Sequence, residues 1–447
     1  MKVAYFSPVN PCDSGISDYS EELLPELAEF FDLDLFVDGY EPSNREIRDS
    51  FPVVDAALFP DKRLERRYAV ALYQMGNSHY HDYIYRSLLR YPGIVVLHDV
   101  VLHHLFLEMN SRRKNPLYYL REIAYSGGSE GIKAGLAILQ GVQQPELFDL
   151  PLIGRVVSAS LATIVHNRYA RDIVETQTGQ SAHVIPQHVK PPAPVSISER
   201  IALRQSMGIR SDSVVFGAFG HATPTKRLDV VLRVFQRLKA LLPEIYLLIV
   251  GRQSPDGWLS SIVEELGLGD SVVITGSVPM DRFLAAMSVS DVCVNLRYPT
   301  AGETSASLLR IMAAGIPAIV SDVGWFSELP DDCCFKIPIN SSEESLLFRA
   351  MRDLAVSDFR AVAMGARARA YVQSEHSIQR TVRSYLDIVG EVHGAPTRRH
   401  QETSTNVTTT ASDSTFLAAS HRELAHLQTG TALRREVQAA LGELGLA

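Results

Sequence analysis

Twice along this chain an apolar run of strand length gives way to a turn-rich loop and then to a stretch with helical spacing. Pro186, Pro191, Pro192 and Pro194 separate the two series. No other feature limits the fold as strongly, because strand, loop and helix in alternation lay successive strands parallel in one sheet with helices on its faces. The first series opens with a strand at Lys2–Phe6, the loop SPVNPCDSGISDYS and a helix over 21–31, whose Leu23, Leu24, Leu27 and Phe30 fall on one face. Further strands are read at 33–37, 69–73, 94–97, 161–165 and 183–185, with an irregular helical tract over 111–150. After the prolines come strands at 214–219, before Gly251, at 272–275, at 292–296 and at 318–320. Helices at 198–207, 228–241, 259–266 and 282–287 and in the 303–314 region alternate with them. The reading is α/β, with two doubly wound domains joined by a proline-rich hinge, each binding ligands at the carboxyl ends of its strands. Hydrophobic residues make up 46% of the 447, enough to fill two cores.

The second series ends in YPTAGETSASLLRIMAAGIPAIVSD, residues 298–322. Pro299, Thr300 and Gly302 form turns, and Glu303 to Ser307 put a carboxylate and three hydroxyls at a helix start. Unpaired N–H groups and a partial positive charge at such a start suit a phosphate. An ordinary α/β loop whose hydroxyls serve only as helix caps reads equally well from this segment alone. Leu308, Leu309, Ile311, Met312 and Ala313 make the helix interior, and Gly315-Ile316-Pro317 ends it before a buried strand.

A net charge of −8 and a pI near 6.0 argue against a nucleic-acid binder, which needs clustered Lys and Arg. Cys12, Cys293, Cys333 and Cys334 show no Cys-x-x-Cys or zinc spacing and fit a reducing cytosol. MKVAYFSPVN reads as a first strand and not as a secretory signal, and no apolar run reaches the length of a membrane span. The sequons at Asn340 and Asn406 are read as polar loops. From Thr397 the composition turns polar and low in complexity, the mark of a flexible linker. Leucines at 417, 424, 427, 433, 441 and 444 follow, an uneven stripe that packs on a partner or on itself, or forms a marginal tail helix.

Candidate ligand groups sit at the ends of the predicted strands. Gly15 in the first loop lets backbone approach a ligand, or simply makes a turn. His98 ends the strand at 94–97, and with Asp99, His103 and His104 it invites a metal reading; the alternative has His103 and His104 opening a helix on an apolar core. His98 as a ligand contact is preferred. His166 ends the strand at 161–165 in the same manner.

The ordered set of Gly15, His98 in VVLHD, His166 in TIVHN, Lys226 in FGHATPTKRL and GETSASLLRIMAAGIPAIVSD resembles the retaining GT-B glycosyltransferases. The likeness is to the group 1, family four type, which includes bacterial mannosyltransferases and sucrose synthase, and it runs over about residues 1–390. It implies two Rossmann-like domains facing across a cleft: an acceptor domain at 1–188 and a nucleotide-sugar donor domain at 189–375. A helix at 376–395 would pack back on the first domain, and 396–447 would hold the linker and tail helix. It further implies transfer of a sugar from a nucleotide diphosphate sugar to a glycan, lipid-linked or small hydroxyl acceptor with retention. No metal or cofactor would be needed beyond that co-substrate, in a cytosolic protein that attaches peripherally to a membrane if the acceptor is a lipid. Catalytic roles fall on His98, Lys226 and Glu303, and donor contacts on Gly15, His221, Arg227, Thr304, Ser305 and Arg310. Two departures stand out. The family's arginine after a glycine is His221 here, leaving the second phosphate cation to Arg227 or to nothing, and Arg310 precedes Ile311-Met312-Ala313 where the family has its second glutamate. Arg310 then meets a phosphate or a core carboxylate, and Glu328 is a cleft or a turn residue. A nucleotide-sugar epimerase of the same fold and a degenerate scaffold are the rival readings.

Overall fold

The computed structural model describes residues 1–60, 67–114, 116–142, 147–254 and 257–394. The described residues form two compact units, 1–185 with 382–394, and 186–381. The linker and tail stripe expected beyond residue 396 lie outside the described residues.

The first unit holds seven parallel strands: β1 (Lys2–Phe6), β2 (Asp32–Val37), β3 (Val53–Asp55), β4 (Val70–Met75), β5 (Ile94–Leu97), β6 (Ala162–Val165) and β7 (His183–Val184). Their order is β3-β2-β1-β4-β5-β6-β7, so the chain reverses its direction of growth between β1 and β4. Phe6, Phe36, Phe59 and Tyr73 anchor one face, with the Phe6 and Phe36 rings stacked at 4.6 Å. The second unit holds six parallel strands: β8 (Val214–Phe219), β9 (Ile245–Val250), β10 (Val272–Ile274), β11 (Val292–Asn295), β12 (Ala318–Ser321) and β13 (Cys334–Ile337). Their order, β10-β9-β8-β11-β12-β13, reverses between β8 and β11. Separate apolar clusters cover its two faces. Among the described residues no helix is long and apolar enough to cross a membrane.

Several elements differ from expectation for local reasons. The first helix runs Gly15–Leu27, not 21–31, because Ser14 caps it by accepting from Ile16 N at 3.2 Å; Phe30 falls beyond its end and is 54% exposed. Strands β3 and β13 were not expected; they are edge strands of three and four residues, too short to show a pattern. The tract over 111–150 resolves into helices His103–Arg113 and Pro116–Leu139, the second broken where Gly128 takes φ +55. Helices Glu343–Val356 and Asp358–Glu375 divide at Ser357, whose hydroxyl caps the second.

Candidate active site

In the second unit the polar chemistry gathers beyond the carboxyl ends of β8 and β11, the two strands between which the order reverses. Loops from such a pair turn to opposite sides of the sheet and leave a crevice for ligand. The β8 loop brings Lys226. Gly220 sits at φ +97, and a Cβ there would stand 2.8 Å from Lys226 Nζ, so only glycine lets the amine lie along the strand end. Lys226 closes the turn Pro224–Lys226, is 7% exposed and donates to the Phe219 carbonyl. Burial above all, then the Arg297 charge, pushes its amine down to about 7; Cys293 and Glu303 oppose that shift.

The β11 loop is tied to the β8 loop. Tyr298 N donates to Thr225 O at 2.8 Å, and Arg297 Nη1 donates to Thr225 Oγ1 at 3.2 Å. Arg297 Nε lies 3.0 Å from Glu303 Oε1. The other oxygen of Glu303 accepts from Thr300 Oγ1 and from Ala301 N, each at 2.8 Å, so the carboxylate folds its own loop around itself. Thr304 is buried, and Ser305 is the N-cap of helix Ala306–Ala314, its hydroxyl accepting from Leu308 N at 3.3 Å and from Asn295 Nδ2 at 3.2 Å. The cap reading of the Ser305 hydroxyl therefore holds, and Thr304 stands in sequence between that cap and Glu303, the ion-pair partner of Arg297.

The remaining expected donor residues are dispersed. His221 is exposed, its carbonyl accepting from Thr223 N. Arg227 follows Lys226 in the left-handed region at φ +52, and its guanidinium forms a two-pronged pair with Glu343 and lies 6.0 Å from the Tyr298 ring centre. The cation beside Lys226 is Arg297, which sequence reasoning passed over; its signal was a lone arginine directly after an apolar strand, at the end that binds ligand. Arg310 is 6% exposed in the apolar row of the helix, and Glu328 ends the turn Gly324–Glu328, half-buried.

In the first unit Gly15 opens the first helix just past β1, is exposed, and a Cβ there would meet nothing within 4 Å. Among the described residues no contact demands glycine at that point. His98 and His166, at the ends of neighbouring β5 and β6, are buried side by side with Nδ1 and Nε2 3.2 Å apart. His166 Nδ1 donates to the Ile185 carbonyl at 2.9 Å. His98 Nε2 lies 2.8 Å from the Gln74 amide oxygen Oε1, an acceptor for a ring N–H. Tyr19 packs edge-on to His98 at 4.7 Å, and its hydroxyl lies 2.9 Å from that of Tyr385. Both His98 nitrogens are thus engaged inside the unit.

The four-residue metal grouping does not assemble. Asp99 precedes the helix and accepts from Asn77 N, His103 Nε2 lies 2.7 Å from Tyr119 Oη, and His104 Nδ1 meets Asn77 Nδ2 at 3.0 Å. Burial pushes His103 down to about 4. Among the described residues no three His, Cys, Asp or Glu side chains are placed to hold a metal.

Residues 199–333 match the family described as glycosyl transferases group 1. A D-inositol 3-phosphate glycosyltransferase from Stackebrandtia nassauensis is 27% identical over 180 residues, 38% of this chain and 40% of the relative. A GDP-mannose-dependent alpha-(1-6)-phosphatidylinositol monomannoside mannosyltransferase from Mycolicibacterium smegmatis is 26% identical over 224 residues, 47% of this chain and 57% of the relative. The chain thus spans about half the length of these curated relatives. Among solved structures, sucrose-phosphate synthase from Thermosynechococcus elongatus superposes with a TM-score of 0.64 at 14% identity, over 89% of this chain and 100% of that one. Anabaena HepE in complex with UDP-glucose gives 0.63 at 14%, over 88% and 100%. With the two parallel sheets, these likenesses show a two-domain, Rossmann-like GT-B fold.

Proposed function

We propose that this chain is a glycosyltransferase that moves a sugar from a nucleotide diphosphate sugar to a hydroxyl acceptor, with retention at the anomeric carbon. The observation that carries the reading is Lys226, buried at the strand reversal of the second unit, inside the segment that matches group 1 glycosyl transferases. When a glycosidic bond to a diphosphate breaks, negative charge builds on the leaving phosphate, and a fixed cation there lowers the barrier because it needs no reorganisation. Lys226 answers that need, and the start of helix Ala306–Ala314 adds N–H groups of the same sign. Glu303 and Thr304 are assigned to the sugar and its phosphate, and His98 to a position near the transferred sugar. On this reading no metal is required.

Relatives named for D-inositol 3-phosphate and for a phosphatidylinositol mannoside, and a neighbour in complex with UDP-glucose, support a nucleotide-sugar donor and a polyol, glycan or lipid-linked acceptor. A cytosolic setting fits four unpaired cysteines. The test is nucleotide release from a panel of donor sugars, with and without acceptors and in excess chelator. Lys226→Ala is expected to lower turnover by about 100-fold or more. Unchanged turnover would remove Lys226 from the site, and sugar interconversion without transfer would replace the transferase reading.

A further inference from the structure

Arg297 has three properties that together call for a ligand. It leaves β11 directly beside the β8 loop, at the strand reversal, and both its backbone and its side chain are pinned: Arg297 N donates to Ser321 Oγ at 2.9 Å and Nη1 donates to Thr225 Oγ1. Its Nε is buried yet has no aligned hydrogen-bond acceptor among the described residues. The Glu303 carboxylate is within ion-pair range at 3.0 Å, so it meets that N–H off-axis. Buried guanidinium N–H groups normally find an aligned acceptor, and an off-axis carboxylate is a poor substitute for one. Glu303 is meanwhile well held by Thr300 and Ala301 on its other oxygen, and does not depend on Arg297 to stay in place.

We propose that Arg297 is the second phosphate cation of the donor site, forming with Lys226 a two-cation clamp for a diphosphate, and that Glu303 is the resident anion the diphosphate displaces from it. This rests on the nucleotide-sugar reading above. The clamp stands on the loops that follow two different strands, one cation on each side of the reversal, which gives each phosphate its own positive charge. The planar guanidinium suits a phosphate bidentately in a way His221 does not. Arg227 is excluded by its two-pronged pair with Glu343.

Calorimetric titration of inorganic pyrophosphate, nucleoside diphosphates and the matching monophosphates into the full chain tests it, with melting curves to verify folding. Arg297→Gln is expected to weaken diphosphates by about 10- to 100-fold and monophosphates by less than about threefold. Arg297→Lys keeps the charge facing Glu303 and preserves folding, and is expected to recover part of the loss. Glu303→Gln removes the competing anion and is expected to tighten pyrophosphate by about two- to fivefold. Wild-type diphosphate affinity in folded Arg297→Gln overturns the clamp, as does an equal loss for mono- and diphosphates. A Glu303→Gln loss as large as that of Arg297→Gln overturns the displacement. If the wild type binds neither pyrophosphate nor any diphosphate, both the clamp and the transferase reading fall. Arg297-dependent binding without sugar transfer supports the clamp and overturns the transferase reading alone.

Discussion

A lysine amine held near 7 makes the proposed donor site a proton-coupled one. The cause is burial first and the neighbouring Arg297 charge second, so an arriving diphosphate, which supplies opposite charge, must push the Lys226 amine back up. The sign follows from that. Below about pH 6 the amine is already charged and binding moves no proton; above about pH 7 it is largely neutral in the free protein and gains one on binding. Diphosphate binding is therefore expected to take up about 0.5–1 proton at about pH 8 and roughly none at about pH 6, with affinity falling as pH rises through that range. Calorimetry in buffers of different ionisation enthalpy reads this directly, and Lys226→Met should abolish the uptake at the higher pH. Uptake retained in that variant would assign the proton to another group. Lys226 was legible as a candidate only through the family resemblance, and Glu303 through that and the polar helix start it opens. Arg297 was not, because it comes near Lys226 only through the pairing of β8 with β11, the two residues being 71 apart in the chain. Arg227 drew attention by adjacency, yet its left-handed backbone sends the side chain to Glu343 instead.

At the scale of elements, the helix that follows the Glu303 loop is fixed from behind. Helix Ala306–Ala314 ends at Gly315, at φ +78, and helix Asp358–Glu375 crosses that end so closely that a Cβ on Gly365 would run into the Gly315 carbonyl. Arg369 donates to the Ala314 carbonyl in the same contact. Because the obstacle is backbone, it cannot rotate away as a side chain would. Gly365→Ala is expected to cost about 1–3 kcal/mol and several degrees of melting temperature. Diphosphate affinity should fall with it, since the shifted helix carries Ser305 and the loop before it. A melting curve unchanged from wild type would show that the two helices separate freely. The alternation of long strands and helices was readable because each long element repeats its pattern several times. Elements set by one cap, such as the first helix at Ser14, or by three residues at a sheet edge, such as β3, carry no repeat to read.

For the whole molecule the decisive element is the last described helix, Ile378–Gly394, which begins in the second unit and ends in the first. Val382, Tyr385, Ile388 and Val389 are all buried on it, and the Tyr385 hydroxyl meets that of Tyr19, the residue packed on His98. Burying such side chains contributes about 1.5–3 kcal/mol each, so four of them together approach the total stability of about 5–15 kcal/mol that holds an ordinary domain folded. A chain ending at Thr381 is therefore expected to lose the folded first unit, while one ending at Gly394 retains both units and wild-type diphosphate affinity. The first comparison is read by hydrogen exchange, with protection lost across β1, β4, β5 and β6 and kept across β8 and β11. Such a split outcome would mean that the proposed donor clamp is built by residues 186–381 alone, whereas the His98 network requires the helix Ile378–Gly394. If protection across β1, β4, β5 and β6 survives truncation at Thr381, the first unit is complete without that helix, and Tyr385 orders Tyr19 and His98 locally without holding the unit together.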